Sequence, residues 1–135
     1  AQYFKNLMQQ HVAKSSKNVV FLAHTLETIN ENEMIVETKV PVKGSLKNNG
    51  IESFFSLVIA AKRVPLKMLK DYKNDMLSIT PEEEMQTYKY VYQTRVTKDN
   101  VHERLRGPMG LFSQQETFID NNIQLVLNRL HQYYA

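Results

Sequence analysis

The spacing of apolar residues over the first 25 positions predicts a helix followed by a buried strand. Five apolar residues recur at intervals of three and four and therefore share one helical face: Tyr3, Phe4, Leu7, Met8 and Val12. Residues 19–23 then form a continuous, β-branched apolar run, which is typical of a strand buried on both faces. Because such strands occur in sheets covered by helices, the sequence predicts an α/β fold: a layered, at least partly parallel sheet flanked by helices.

Two further strands and a hairpin follow. Segments 26–29 and 34–42 flank a polar turn, which predicts a hairpin or an excursion from the sheet. Apolar residues 56–61 predict a second sheet strand, which Pro65 ends or places at an edge. The aromatic and β-branched composition of residues 89–96 predicts a third.

The helical signals are concentrated in the second half of the chain. Thr80-Pro81-Glu82-Glu83 combines a capping hydroxyl, a proline at the first helical position and a glutamate three residues after the cap, so it predicts the start of a short helix. From Thr117 onward apolar residues recur with helical period, which predicts a terminal helix of about five turns packed on the sheet. Residues 106–110 predict a loop.

Composition limits the class of protein. With 135 residues, 42% of them hydrophobic and 23% charged, the chain is predicted to form a single domain (residues 1–135) and not a disordered segment. The absence of cysteine excludes thiol catalysis and disulfides and fits a cytoplasmic location. No apolar run approaches the length of a membrane span, so we expect no membrane contact.

Basic side chains are concentrated in the middle of the chain. Positions 39 to 73 contain eight basic residues and only two acidic ones. The basic residues are Lys39, Lys43, Lys47, Lys62, Arg63, Lys67, Lys70 and Lys73. If several share a face they would attract a polyanion such as nucleic acid, and otherwise they form an ordinary solvated surface. Arg95 extends the set, because a guanidinium matches the geometry of a phosphate. The candidates for contact with nucleic acid are Lys39, Lys43, Lys47, Lys62, Arg63 and Arg95.

Catalytic motifs are sparse. The sequence has no phosphate-binding P-loop, no histidines at metal-ligand spacing and no serine-hydrolase motif, so it predicts neither a metal site nor a catalytic residue. His24 and Thr25 directly follow the predicted strand 19–23, where open sheets present ligand-binding groups. They either contact a phosphate or simply end the strand.

Three tyrosines alternate along the predicted third strand. Tyr88, Tyr90 and Tyr92 would share one face, where they could stack on nucleic-acid bases, although packing in the core is the commoner role. The loop arginines Arg104 and Arg106 could stabilise charge on a phosphate or pair with Glu103.

Four features, in order, carry a resemblance to a known family. They are the first helix, the segment 18–25 ending in His24-Thr25, the polar excursion with Val40-Pro41-Val42-Lys43-Gly44-Ser45-Leu46, and Arg104-Leu105-Arg106-Gly107-Pro108 after a further strand. In this order the chain resembles the C-terminal half of phage and prophage RecA-like ATPases of the recombination and single-strand-annealing type.

The resemblance implies a role in DNA recombination or replication. It implies that His24, Thr25, Arg104 and Arg106 sense phosphate or lie near a nucleotide, and that the loop with Lys39, Lys43 and Lys47 approaches DNA. Because the Walker A and Walker B motifs are absent, the chain is expected to be part of a larger ATPase, and ATP and Mg²⁺ would bind only with the half upstream of Ala1. Self-association is a further expectation.

Two other functions stay open from the sequence. The first is a non-enzymatic interaction or assembly domain that docks a partner through its apolar face and terminal helix. The second is a small independent enzyme acting on a phosphorylated metabolite, for which no residues can be named.

Overall fold

The computed structural model describes residues 2–30, 35–39, 54–100 and 103–135. These divide into two compact units, one formed by Ala1–Phe55 and His102–Arg104 and the other by Ser56–Val101 and Leu105–Ala135. We call them the first and the second unit and describe each separately. The predicted single domain, and its place in a longer protein, stay predictions.

The first unit contains a helix and a hairpin, as the sequence predicts. Helix α1 (Gln2–Asn6) continues as a π-helical segment over Leu7–Val12, and Met8 is buried. Strands β1 (Leu26–Asn30) and β2 (Ile35–Lys39) pair antiparallel, with Thr28 opposite Glu37. The hairpin prediction is confirmed for these residues.

The predicted buried strand over residues 19–23 is wrong. Residues 18–25 are described, but they form no strand, and the apolar side chains of 19–22 are exposed, Leu22 to 94%. Phe21 instead makes edge-on ring contacts with Phe4 and Phe55, with centroids 6.5 Å and 5.2 Å away. A continuous apolar run in a sequence does not reveal whether its side chains pack between the strands of a sheet or against single aromatic rings. Here Phe21 packs against aromatic rings.

The second unit is built on an antiparallel sheet. Its strands are β3 (Ala60–Pro65), β4 (Tyr88–Gln93) and β5 (Phe118–Asp120), in the order β3-β4-β5, and both pairings are antiparallel. The predicted α/β fold, a layered and partly parallel RecA-like sheet, is therefore contradicted: within the described residues every strand pairing is antiparallel and the helices are short. Pro65 ends the edge strand β3, as its missing N–H predicts.

Short helices connect and cover these strands. Helix α2 (Leu66–Leu69) follows β3, and α3 (Pro81–Gln86) begins at the predicted capping box, in which the Thr80 hydroxyl accepts from the Glu83 N–H while the Glu83 carboxylate accepts from the Thr80 N–H. A 3₁₀ turn spans Gln114–Glu116, and α4 covers Ile123–Tyr133. Helix α4 has 11 residues and not five turns, because residues 118–120 join the sheet.

The core of the second unit lies on both faces of the sheet. One buried cluster contains Val64, Leu69, Val91 and Phe118, and the other contains Leu111, Phe112, Ile119 and Val126. Because successive strand residues point to opposite faces, the adjacent Phe118 and Ile119 enter different clusters. Val126 brings α4 onto the second cluster, so the expectation that the terminal helix packs on the sheet is confirmed.

Candidate nucleic-acid interface

One face of the second unit's sheet is covered at one end and open at the other. Along β4 the tyrosines alternate with Lys89, Val91 and Gln93, which are buried on the opposite face. At the covered end Tyr92 packs against the cluster that contains Val126 of α4. At the other end Tyr90 is 56% exposed. The tyrosine alternation therefore serves two purposes: packing at Tyr92 and surface exposure at Tyr90.

The open end carries a stacked arginine. Arg63 of β3 lies opposite Tyr90 of β4 in the strand register, and its guanidinium carbon is 4.9 Å from the centre of the Tyr88 ring. This distance is within the range of a cation–π contact. The rings of Tyr88 and Tyr90 meet edge to face, with centroids 5.9 Å apart at 89°. We call Arg63, Tyr88 and Tyr90 the tyrosine–arginine face.

A cleft adjoins the tyrosine–arginine face. It has a volume of about 460 Å³ and is lined by Arg63, Pro65, Thr87 and Tyr88. Thr87 has φ of 67°, in the left-handed region that a β-branched residue rarely adopts. Its N–H donates to the Glu83 carbonyl, which ends α3, and its carbonyl accepts from the Leu66 N–H, which ties the turn to α2. One wall of the cleft is thus a strained turn at Thr87, which hydrogen bonds to Glu83 and Leu66 hold in place.

Buried charges fix β4 from the opposite face. The Lys89 side chain is 8% exposed, and its Nζ lies 2.9 Å from a Glu83 carboxylate oxygen and 3.2 Å from one of Asp120. Burial alone would lower the pKa of Lys89, but the hydrogen bonds and charges of the two carboxylates outweigh burial and raise it. Glu83 responds in the reverse sense: burial would raise its pKa, and the Thr80 N–H and Lys89 lower it. The two ion pairs connect β4 to α3 and β5, and so hold the strand that presents the tyrosines.

Within the second unit the nucleic-acid candidates do not share one face of the sheet. Arg63 lies on the tyrosine–arginine face, whereas Lys62 alternates to the opposite, half-buried side of β3. Arg95 lies just beyond β4 and donates to the Phe112 carbonyl at 3.2 Å. Lys39 ends β2 in the first unit, and Lys43 and Lys47 lie outside the described residues.

The phosphate-sensing candidates are divided between the two units. His24 and Thr25 are exposed and follow residues that form no strand, so the reason for expecting them at the rim of a parallel sheet no longer holds. Arg104 belongs to the first unit and Arg106 to the second. Arg106 forms an isolated antiparallel bridge with Val58 and lines a second cleft together with Arg95. That shared cleft was not predicted from the sequence.

Arg63 and the tyrosines could be identified from the sequence, but the cleft residues Pro65 and Thr87 could not. Nothing in the residue types of Pro65 and Thr87 indicates a cleft, because the left-handed turn at Thr87 results from how α3 meets β4. The available signal was the alternation in Tyr88-Lys89-Tyr90-Val91-Tyr92, in which a lysine is on the buried side. A lysine in that position usually marks the solvent side, which obscured the correct orientation.

Comparisons of the chain with protein-family models, curated proteins and solved structures find no match. In the part of the chain that the structure describes, no helix has the length and hydrophobicity to cross a membrane. Among those same residues, no group of three or more histidine, aspartate or glutamate side chains is placed to hold a metal ion. Residues and geometry alone therefore define the class of site: an open, aromatic and cationic sheet face.

Proposed function

We propose that this chain is a non-catalytic module that binds single-stranded nucleic acid through the tyrosine–arginine face. The observation that carries the proposal is the stacking of Arg63 on Tyr88 beside the exposed ring of Tyr90. Single-strand binding sites combine aromatic surfaces for the bases with cations for the phosphates, and this face provides both within one strand pair.

The three side chains have separate roles in this proposal. Tyr90 offers an exposed ring on which one base stacks. Arg63 neutralises a phosphate, and its contact with Tyr88 restrains the guanidinium and so lowers the entropy lost on binding. Because the Tyr88 and Tyr90 rings are nearly perpendicular, they do not form a continuous stack, so the face holds one base firmly and not a run of bases.

Single strands suit this face better than duplexes. An aromatic ring binds a base by stacking only when the base is unstacked from its neighbours, which a double helix prevents. The exposed Lys67, in α2, and Lys70, at its end, add positive charge to the same unit. This charge increases affinity for any polyanion, while Tyr90 supplies the preference for a single strand.

From the resemblance the proposal keeps only the expectation of contact with nucleic acid, and it assigns that contact to residues other than the loop with Lys39, Lys43 and Lys47 that the resemblance implies. Participation in DNA recombination or replication is the setting in which we propose that these contacts act. Phosphate sensing by His24, Thr25, Arg104 and Arg106, and membership of a larger ATPase, stay predictions that the antiparallel sheet does not support.

Fluorescence anisotropy with a labelled oligothymidylate tests the proposal. We expect Tyr90→Ala to weaken binding about tenfold, because stacking contributes about 1–3 kcal/mol per base. We expect Arg63→Gln to weaken binding and to reduce the dependence of affinity on salt by about one counterion. The matched controls are Tyr134→Ala, which removes an exposed tyrosine elsewhere in the unit, and Lys98→Gln, which removes an exposed cation.

The controls define what would contradict the proposal. If Tyr134→Ala weakens binding as much as Tyr90→Ala, the contact is not at the tyrosine–arginine face. If a duplex of equal length competes as well as the single strand, recognition is by charge alone and the stacking role of Tyr90 is wrong.

A further inference from the structure

The cleft that adjoins the tyrosine–arginine face is large enough for a small ligand. Its volume of about 460 Å³ lies within the range of about 300–1,000 Å³ that is usual for ligand pockets. The side chains that line it belong to Arg63, Pro65, Thr87 and Tyr88, and we call it the Thr87 cleft. A base stacked on the exposed ring of Tyr90 leaves this space unfilled.

The strand register places the Thr87 cleft next to Tyr90 on the same face of the sheet. Arg63 pairs with Tyr90, and Pro65, two residues further along β3, pairs with Tyr88. Residues two apart on a strand point to the same face and lie about 6.5 Å from each other. The Tyr90 ring and the Thr87 cleft are therefore successive positions along one strand pair.

Arg63 connects the two positions. Its backbone lies opposite Tyr90, while its guanidinium reaches over the ring of Tyr88, which lines the Thr87 cleft. Among the described residues no carboxylate pairs with this guanidinium, and its contact is the tyrosine ring. The guanidinium therefore keeps N–H donors for an anion, and a phosphate that links the two positions is the anion that this placement suits.

The spacing of the two positions favours an extended strand. The rings of Tyr88 and Tyr90 are nearly perpendicular, at 89°, so a nucleoside in the Thr87 cleft does not continue a stack that begins on Tyr90. In a stacked strand successive nucleotides advance by only about 3.4 Å, roughly half the distance between the two positions. A strand whose neighbouring bases are separated can span that distance, and a stacked strand cannot.

We infer that the Thr87 cleft takes the nucleoside next to the one on Tyr90, so that the minimal ligand is two nucleotides of an extended single strand. Arg63 binds the phosphate between them, and the second nucleoside lies against the carbon surface of Pro65 and Tyr88. This inference rests on the proposed function and extends it from one nucleotide to two.

NMR titration of the ¹⁵N-labelled, unsubstituted chain tests the inference, with dTpdT and the thymidine 3′- and 5′-methyl phosphates as probes. All three probes have one phosphate diester and the same charge, so only dTpdT adds a second nucleoside. We expect dTpdT to bind at least about tenfold more tightly than either methyl phosphate. The amides of Leu66 and Thr87 should shift with dTpdT and not with the methyl phosphates. Equal affinities of the three probes would overturn the inference.

Two substitutions of Thr87 locate the second nucleoside. Asparagine and aspartate both adopt the left-handed conformation of this turn more readily than threonine does, so both variants keep the turn and differ in charge. Thr87→Asp places a negative charge in the cleft beside the phosphate and should bind dTpdT at least about fivefold more weakly than Thr87→Asn. Equal binding by the two variants would place the second nucleoside elsewhere and contradict the inference.

The inference and the proposed function fail in different ways. If dTpdT binds no more tightly than the methyl phosphates while Tyr90→Ala still weakens the binding of oligothymidylate, the role of the Thr87 cleft is wrong and the proposed function stands. If Tyr90→Ala leaves the affinity for oligothymidylate unchanged, the proposed function is wrong and the two-nucleotide site fails with it.

Discussion

The ion pair between Glu116 and Arg129 offers the sharpest test of how the second unit is held together. Both guanidinium nitrogens of Arg129 bond the Glu116 carboxylate, at 2.7 Å and 2.6 Å, and the same carboxylate accepts from the Ser113 N–H at 2.8 Å. The hydrogen bonds from Arg129 lower the pKa of Glu116 to about 2, against the opposing effect of burial. Arg129 also bonds the Leu111 carbonyl, so this pair supports the loop that forms the second cleft.

The substitution to make is Glu116→Gln. A carboxyl whose pKa falls from 4.5 to about 2 on folding stabilises the folded state by at most about 3 kcal/mol at neutral pH. Glutamine retains an oxygen that can accept from the Ser113 N–H, so the cap survives while the charge is lost. We therefore expect the free energy of unfolding at pH 7 to fall by about 2–3 kcal/mol, which is a large part of the stability of a small domain.

The dependence on pH distinguishes the ion pair from simple packing. Because the pKa of Glu116 is lowered by folding, its stabilisation is fully present above 4.5 and is lost as the pH falls through about 2. Urea unfolding followed by tyrosine fluorescence should show the unsubstituted chain and Glu116→Gln converging between pH 4.5 and pH 2.

The control is Asp75→Asn, which neutralises an exposed carboxylate and should change stability by less than about 0.5 kcal/mol. A difference between Glu116→Gln and the unsubstituted chain that stays constant over the whole pH range would refute the reasoning.

Two further predictions concern the supports of the tyrosine–arginine face. Lys89→Met should lower the free energy of unfolding, measured in urea, by about 1–3 kcal/mol, because the partly exposed carboxylates of Glu83 and Asp120 lose the buried cation that pairs with them. Lys89→Arg keeps the charge and should lower the free energy of unfolding by less. Equal decreases in the two variants would mean that the shape of the side chain, and not its charge, matters at this position. Thr87→Gly should raise the free energy of unfolding by about 1 kcal/mol, since glycine adopts the φ of 67° without strain. A lower melting temperature for Thr87→Gly would show that the threonine side chain contributes more than its strained backbone costs.

The elements that could be predicted are those with local signals. The capping box at Thr80 and Glu83 specifies a helix start within four residues, and Pro65 specifies a strand end through its missing N–H. The hairpin of β1 and β2 could be predicted because a polar stretch of sequence separates segments 26–29 and 34–42. Each of these signals needs no knowledge of distant residues.

The errors arose where long-range pairing decides the structure. Phe118 and Ile119 fit a helical pattern, but pairing with β4 makes them a strand whose adjacent side chains enter separate clusters. The apolar run 19–23 suggested a central strand, yet in the described structure ring contacts of Phe21 take the place of a strand ladder. Periodicity reports which residues are apolar and not which elements they meet.

The distinction between local signals and long-range pairing also applies to the candidate sites. Arg63 could be identified from the density of basic residues, and Tyr88 and Tyr90 from their alternation. The cleft shared by Arg95 and Arg106 could not, because it depends on the bridge between Val58 and Arg106, whose partners are distant in the chain.

The edge strand β3 has a consequence for the behaviour of the protein in concentrated solution. An open sheet edge with free N–H and C=O groups is a template for strand addition by other chains, which leads to aggregation. Here the edge ends in Pro65, which has no N–H to donate, and the exposed Arg63 places a positive charge on it. Like charges on approaching copies repel each other, so the features that place a cation next to Tyr88 also oppose edge-to-edge association.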